Sequence, residues 1–403
     1  MNLSSYPHLQ FHQESVSYQL RPFWQYILIN IFLNIIVMDI MLINIRNLKR
    51  AFLIILVILP SISIAQMRSP DFIYVFDDTI NSISSHRYDI VIGLMNDKVY
   101  LFHGTYFRKT WEYNANDVVN SVAISDRYVV VGSMDGYIHL LSYNGTLVWK
   151  TKLDSYVDRP DLIYILDNDI LVGTRDGFLY LFGVNGIMKR KLKTDAYVLK
   201  VRIIDNSMIA VSDKKIYSLD MEGGIINSAG FDSYIRSAHI CDKYAVVGLG
   251  NNQLVTLDNN GNRLWSVNLS DQIGIVSCNE NYIAAGSRDK ILYLFDIEGN
   301  PVWAKNLSDS VVNIAMDESN VAAASREGVI YVFSLSGIEK LTYLVDRGVP
   351  ELHFLHDALL IGSSSGKLYY FKLYGDLARL AFVGIVVFIV IMFGFVITIR
   401  SAG

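Results

Sequence analysis

Only two cysteines, Cys241 and Cys278, occur in 403 residues, which excludes a disulfide-stapled scaffold and any CxxC metal or redox site. Prolines number seven, and none interrupts the inner apolar runs described below, as a sheet in which every N–H pairs requires. Charged residues make up 18% and the formal net charge is −4, so the chain lacks the electrostatic footprint of a nucleic-acid binder. What the sequence has instead is apolar. Hydrophobic residues reach 52%, more than a soluble domain needs.

Much of that excess lies at the two ends. The run LAFVGIVVFIVIMFGFVITI, Leu380 to Ile399, holds twenty residues without a charge. Coiled as a helix at 1.5 Å per residue it would span ~30 Å, the hydrocarbon thickness of a bilayer. A C-terminal transmembrane helix over 380–399 is therefore expected, with Arg400 behind it. Near the other end, residues 45–66 read IRNLKRAFLIILVILPSISIAQ: Arg46, Lys49 and Arg50, then a 14-residue apolar run, then Ser63, Ile64 and Ala65 before Gln66. These are the parts of a secretory signal peptide.

The position of that peptide leaves two readings. Either translation starts at Met38 or Met41 and residues 1–40 are a doubtful leader, or Phe23 to Ile45, interrupted by Asn30, Asn34, Asp39 and Asn44, is an extra hydrophobic span. Residues 41–65 are then a signal peptide or an N-terminal membrane segment. Both readings keep the three basic residues in the cytoplasm and put residues 66–379 outside. The expectation is a single-pass protein of the cell membrane with its main domain on the extracytoplasmic side.

Between the ends the chain repeats itself. Residues 132–149 read GSMDGYIHLLSYNGTLVW, 248–265 read GLGNNQLVTLDNNGNRLW, and 286–303 read GSRDKILYLFDIEGNPVW. One glycine of this phrase recurs at Gly104, Gly145, Gly186, Gly223, Gly261, Gly299, Gly337 and Gly375, at spacings of 41, 41, 37, 38, 38, 38 and 38. A near-constant period of this size marks a repeat architecture. Each unit splits into short β-rich runs joined by Asp-Gly or Asn-Gly turns, which are strong hairpin signals. Runs such as FLYLF (178–182) and ILYLF (291–295) are apolar on both faces, as in sheets sandwiched between neighbours.

Four strands per unit in eight units predict an all-β, eight-bladed β-propeller over residues 66–373. The last unit supplies only three strands, ELHFLHD, ALLIGS and KLYYFK, while DFIYVFD at 71–77 has no partners upstream. Strand 71–77 is expected to close the last blade, leaving no open edge at the seam.

The eighteen-residue phrase resembles the repeat of pyrroloquinoline-quinone (PQQ) propellers, A-x-D-G-x-L-Y-A-x-D-x-x-T-G-x-x-x-W, over roughly residues 71–373. Trp149, Trp265 and Trp303 end the phrase, and Trp111 does so after a one-residue shift; blades three, four, seven and eight lack the tryptophan. The resemblance implies that these four residues dock each blade against the next. It also implies, for the quinone-dependent dehydrogenases of that fold, a vicinal Cys–Cys disulfide above the quinone, a tryptophan platform beneath it, a Glu–Asn–Asp calcium set and a catalytic aspartate. No adjacent cysteines exist here, and the eight units leave no long insertion for a deep site. No cofactor, metal or catalytic residue is expected, and the chain is read as a non-enzyme.

Other constellations are weak. Gly362-Ser363-Ser364-Ser365-Gly366 matches G-x-S-x-G, but a nucleophile elbow needs a strand–turn–helix context. His353 and His356 are three apart, which on a strand points them to opposite faces. His8 and His12 would share a helix face but lie in the doubtful leader. Asp258-Asn259-Asn260-Gly261-Asn262 suits a turn better than a calcium loop. Cys241 and Cys278 fall near equivalent places in neighbouring blades. Bridged Cα atoms must approach within about 7 Å, whereas stacked sheets stand ~10 Å apart, so two buried thiols are expected. Sequons at Asn144, Asn268 and Asn306 are candidates for N-glycosylation in surface turns.

The functional expectation is an exported, membrane-anchored propeller acting as a binding or scaffold module at the cell surface. Its partners would be the membrane, through the C-terminal helix, and an envelope or extracellular protein or glycan, with no nucleic acid. Two alternatives stand beside it. One is a degenerate PQQ-dependent dehydrogenase. The other is an envelope protein assembly factor resembling the propeller lipoproteins that help insert outer-membrane proteins, although no lipidated cysteine follows this leader.

Overall fold

Each repeat begins with a β-branched residue that is almost wholly buried, and these anchors set the ring. They are Ile80, Val119, Val157, Val198, Ile235, Ile273, Val311 and Val349, none more than 7% exposed. A small residue in the second strand of the preceding blade receives most of them. A Cβ built on Gly93 would lie 2.5 Å from Val119, one on Gly248 2.5 Å from Ile273, and one on Gly286 2.5 Å from Val311. Only hydrogen fits there. The glycine that opens each eighteen-residue phrase is thus the socket for the next blade.

The computed structural model describes residues 69–103, 107–346, 348–356 and 358–373. They belong to the second of two units, Ala65–Gly403, and form eight four-stranded antiparallel sheets in sequence order. Blades one to seven span 80–114, 119–152, 163–193, 198–230, 235–268, 273–306 and 311–344. Inner strands of successive blades contact one another around the whole circuit, so they line a central axis. Second strands such as Tyr244–Leu249 and Asn320–Ser325 are buried at every residue. Outer strands such as Leu147–Lys152 expose most of theirs, as expected of the rim.

Blade eight is completed as the sequence requires. Strands Glu351–Leu355, Ala358–Gly362 and Lys367–Lys372 pair in order, and Phe72–Val75 adds the fourth, Phe72 opposite Tyr370 and Val75 opposite Lys367. The flanking residues extend the closure, with Asp71 N–H on the Tyr370 carbonyl (2.8 Å) and Phe76 N–H on that of Gly366 (2.8 Å). Phe72 stacks on Tyr370 at 4.8 Å and meets Phe107 edge-on at 4.6 Å, so apolar packing locks the seam as well. The eight-bladed, all-β expectation stands.

Gly104, Gly375, the leader and the 380–399 run lie outside the described residues. Among the described residues no helix is long and apolar enough to cross a membrane. The six described turn glycines, Gly145, Gly186, Gly223, Gly261, Gly299 and Gly337, all have φ between 81° and 91°, a region that side chains disfavour.

Candidate functional site

The tryptophans lie on outer strands and reach across to the following blade. Trp111, Trp149, Trp265 and Trp303 donate Nε1–H to the carbonyls of Tyr143, Val184, Ile297 and Leu335 at 2.8–2.9 Å. Their rings lie on the turn glycines of those blades: a Cβ on Gly145 would meet Trp111 at 2.7 Å and one on Gly299 would meet Trp265 at 2.7 Å. Trp149, Trp265 and Trp303 also pack on Phe182, Phe295 and Phe333, with centroids 5.9, 6.0 and 5.7 Å apart. Blade three, which has no tryptophan, puts Arg190 at the same place, and its Nε donates to the Glu222 carbonyl at 2.8 Å. Pattern matching reads that position as empty; the chemistry is kept by another N–H donor.

Asn144 lies exposed in a turn of blade two, and Asn268 and Asn306 are exposed at the ends of outer strands instead of in turns. Ser363–Gly366 forms a turn between two strands of blade eight, and Ser365 Oγ donates to Asp346 at 2.9 Å. Asp258 spends its oxygens inside its own turn, on the Asn260 and Asn262 N–H groups at 2.9 and 2.8 Å and on Asn262 Nδ2 at 2.9 Å. His353 and His356 go separate ways: His353 Nε2 meets Ser85 Oγ at 2.6 Å, while His356 stacks on Tyr88 at 4.1 Å.

The cysteine expectation is overturned. Cys241 and Cys278 form a disulfide between blades five and six with Cα atoms 6.2 Å apart, inside the range such bonds need. The ~10 Å spacing of parallel-faced sheets does not apply here, because the blades converge where their inner strands approach the axis. His239 sits alongside, its ring nitrogen and both sulfurs within 4.8 Å of one another. Joined to each other, the sulfurs offer no thiolate.

The axis carries the densest chemistry, created by one irregularity. In blades two, four and six the anchor and the second residue packed on the same glycine are three apart: Val119 and Val122 around Gly93, Val198 and Val201 around Gly173, and Ile273 and Val276 around Gly248. In blade three they are Val157 and Ile163 around Gly132. Three extra residues thus enter between them and turn inward. Asp161, in this insert, has φ of 64° and accepts from Lys200 Nζ of blade four at 3.0 Å.

The Lys200 ammonium holds the Asp161 carboxyl below its usual range, with smaller contributions from His239 of blade five and His353 of blade eight. That these three blades all act on one carboxylate places it at the axis. Burial pushes the His239 ring down to about 3 and the His353 ring down to about 4. Burial, and then the Asp161 charge, pushes Glu351 well above the ordinary carboxyl range. Near neutral pH the cluster therefore presents one ion pair among neutral imidazoles. Its sequence trace was the 41-residue step between Gly145 and Gly186, which locates extra length but not its direction.

Among the described residues all four tryptophans lie on outer strands and provide no axial platform, and the disulfide joins two blades in place of two adjacent cysteines.

No family model matches the chain, and no curated protein matches it by sequence. Solved structures do match in shape. The chain is similar to Sqt1 from Saccharomyces cerevisiae, with a TM-score of 0.68 and 14% identity over 77% of this chain and 100% of that one. BamB from Moraxella catarrhalis gives 0.65 and 19% over 76% and 98%. Sqt1 from Chaetomium thermophilum, solved bound to the N-terminus of ribosomal protein L10, gives 0.64 and 16% over 75% and 100%. At such identities the likeness establishes a shared β-propeller fold.

Proposed function

We propose that this chain is an exported, membrane-anchored propeller, built from divergent PQQ-like repeats, that works by binding an envelope or extracellular protein or glycan and not by catalysis. The observation that carries export is the Cys241–Cys278 bond between blades, since disulfides persist in oxidising compartments. Anchoring rests on the sequence: the strand Lys367–Lys372 is followed within a few residues by the uncharged run 380–399. Binding rests on the architecture, a closed ring with two broad loop faces and a polar axis. A similar propeller holding the N-terminal segment of another protein supports that use of the fold. The Trp–Gly docking between blades supports the repeat assignment.

Protease added to intact cells tests the topology. Cleavage within residues 66–379 is the expected result; cleavage seen only after lysis overturns it. Absorption spectra and calcium-dependent dye reduction test the absence of quinone chemistry, and a bound chromophore would reverse that part.

A further inference from the structure

Exposed apolar pairs are confined to one place in the ring. Among the described residues, large hydrophobic side chains that are both exposed and adjacent in sequence occur as Leu147–Val148, Ile187–Met188 and Ile225–Ile226, each residue between 41% and 63% exposed. These pairs open the outer strands of blades two, three and four. The repeat supplies its own internal control. Leu147, Met188 and Ile225 stand opposite Leu141, Phe182 and Leu219. At the same register place blades one, five and seven carry Lys109, Arg263 and Glu339, opposite Phe102, Leu257 and Phe333. Packing therefore does not demand an apolar residue there.

Strand direction puts this edge on the face where the chain leaves the ring. Third strands all run the same way, and each ends at the turn that leads into the outer strand. In blades two to four those turns hold Gly145, Gly186 and Gly223, and the apolar pairs follow within one or two residues. In blade eight the third strand is Lys367–Lys372, and its outer neighbour is Phe72–Val75 from the other end of the chain. At Lys372 the chain therefore departs where the other blades turn. Residues 374–379 separate Leu373 from the uncharged run 380–399, and seven extended steps reach at most about 25 Å. Charge gives this edge no preference. Asp220 and Glu222 precede Ile225, and the cations beside Met188 are paired, Lys189 with Asp169 and Arg190 with Glu222.

We infer that this edge of blades two to four rests in the interfacial layer of the bilayer that anchors the chain, held by apolar burial and not by headgroup charge. Single exposed apolar residues are ordinary, but pairs on three adjoining blades form a patch that calls for a partner. Aliphatic side chains on a docked surface enter the boundary between headgroups and acyl chains by ~5–10 Å. With the chain departing at blade eight and the apolar edge at blades two to four, the ring is held at two separated points. Its other face, where the insert with Asp161 joins blade two to blade three, is then turned away from the lipid. The inference rests on the anchoring proposed above for residues 380–399.

The test uses the full chain in phosphatidylcholine vesicles. Cys241 and Cys278 are joined, so Val148→Cys, Ile226→Cys or, at the far end of an outer strand, Leu344→Cys gives one site for a nitrobenzoxadiazole label. Quenching by doxyl-labelled phosphatidylcholine is expected at 148 and 226 and not at 344. Leu147→Lys with Met188→Arg and Ile225→Glu installs residue types that other blades carry at the same place, which protects folding. This triple variant should cut quenching at 226 at least roughly tenfold. Equal quenching at all three sites, or unchanged quenching at 226 in the triple variant, overturns the assignment. So does a protein crosslinked to 148 or 226 on intact cells, or a glycan on Asn144 in the turn before Leu147. Failure of the anchor reads differently: alkaline carbonate would strip the chain from the vesicles, and both readings would fall. A chain that resists carbonate but shows no quenching at 148 and 226 keeps the anchor and discards the docking.

Discussion

Single side chains decide how firmly neighbouring blades grip. Trp303→Ala removes an N–H bond to Leu335 and a ring contact with Phe333. The expected loss is about 2–3 kcal/mol, below the fully buried range because the ring is partly exposed. Arg190→Ala should lose less than about 1 kcal/mol, since its environment is wet. Urea unfolding of both variants checks the ranking. The tryptophans were legible because they close a fixed phrase; Arg190 was not, because only the position of the Glu222 carbonyl reveals what it does.

Protons act at the same scale. The rings of His139, His239 and His353 are pushed down to about 4, about 3 and about 4, in each case chiefly by burial. The unfolded chain therefore takes up these protons first. Their stabilising effect is complete above about pH 6.5 and fades as pH falls toward 4. Glu351 opposes them: its raised value means that its own contribution fades as pH rises above the ordinary carboxyl range. The urea midpoint should fall between pH 6.5 and 4, and Glu351→Gln should steepen the fall. A flat profile in both proteins would contradict the burial of these groups.

Strands and their contacts set the next scale. A Cβ on Gly286 would collide with Val311 at 2.5 Å, whereas one on Gly230 meets nothing nearer than 3.9 Å. Gly286→Ala should cost about 1–3 kcal/mol by overpacking, while Gly230→Ala should be nearly neutral; thermal melts of the pair decide. Cys278→Ser opens a link across 37 residues, and chain entropy puts the loss at about 3–4 kcal/mol. Dithiothreitol should reproduce it in the wild type and leave the variant unmoved. Strand identities and turns could be read from apolar runs and Asp-Gly or Asn-Gly pairs. The disulfide could not, because sequence gives the spacing of sheets far from the axis but not their convergence upon it.

At the scale of the whole molecule, Phe72–Val75 completes the last sheet and closes the ring of eight repeats. Removing residues up to Phe76 should leave blade eight with a bare edge and lost aromatic packing, replacing a single cooperative transition with a broad or split one in calorimetry. A single sharp transition at the wild-type temperature would show that the strand is dispensable. The ring is legible in the sequence, since period, unit count and the missing strand all agree. The axial cluster is not. The aspartate insert is a departure from the repeat, and it gains meaning only when equivalent positions of the blades can be compared in space.

Phe72 and Tyr370 are register partners yet stand 298 residues apart in the chain. A ribosome adding roughly 5–20 residues per second needs about 15–60 s to cover that distance. Throughout that interval the closing strand has been made and its mate has not, so circularisation waits for the synthesis of Lys367–Lys372. A chain interrupted before Lys367 would carry a ready ribbon without a berth, and exchange with a second copy offers it one.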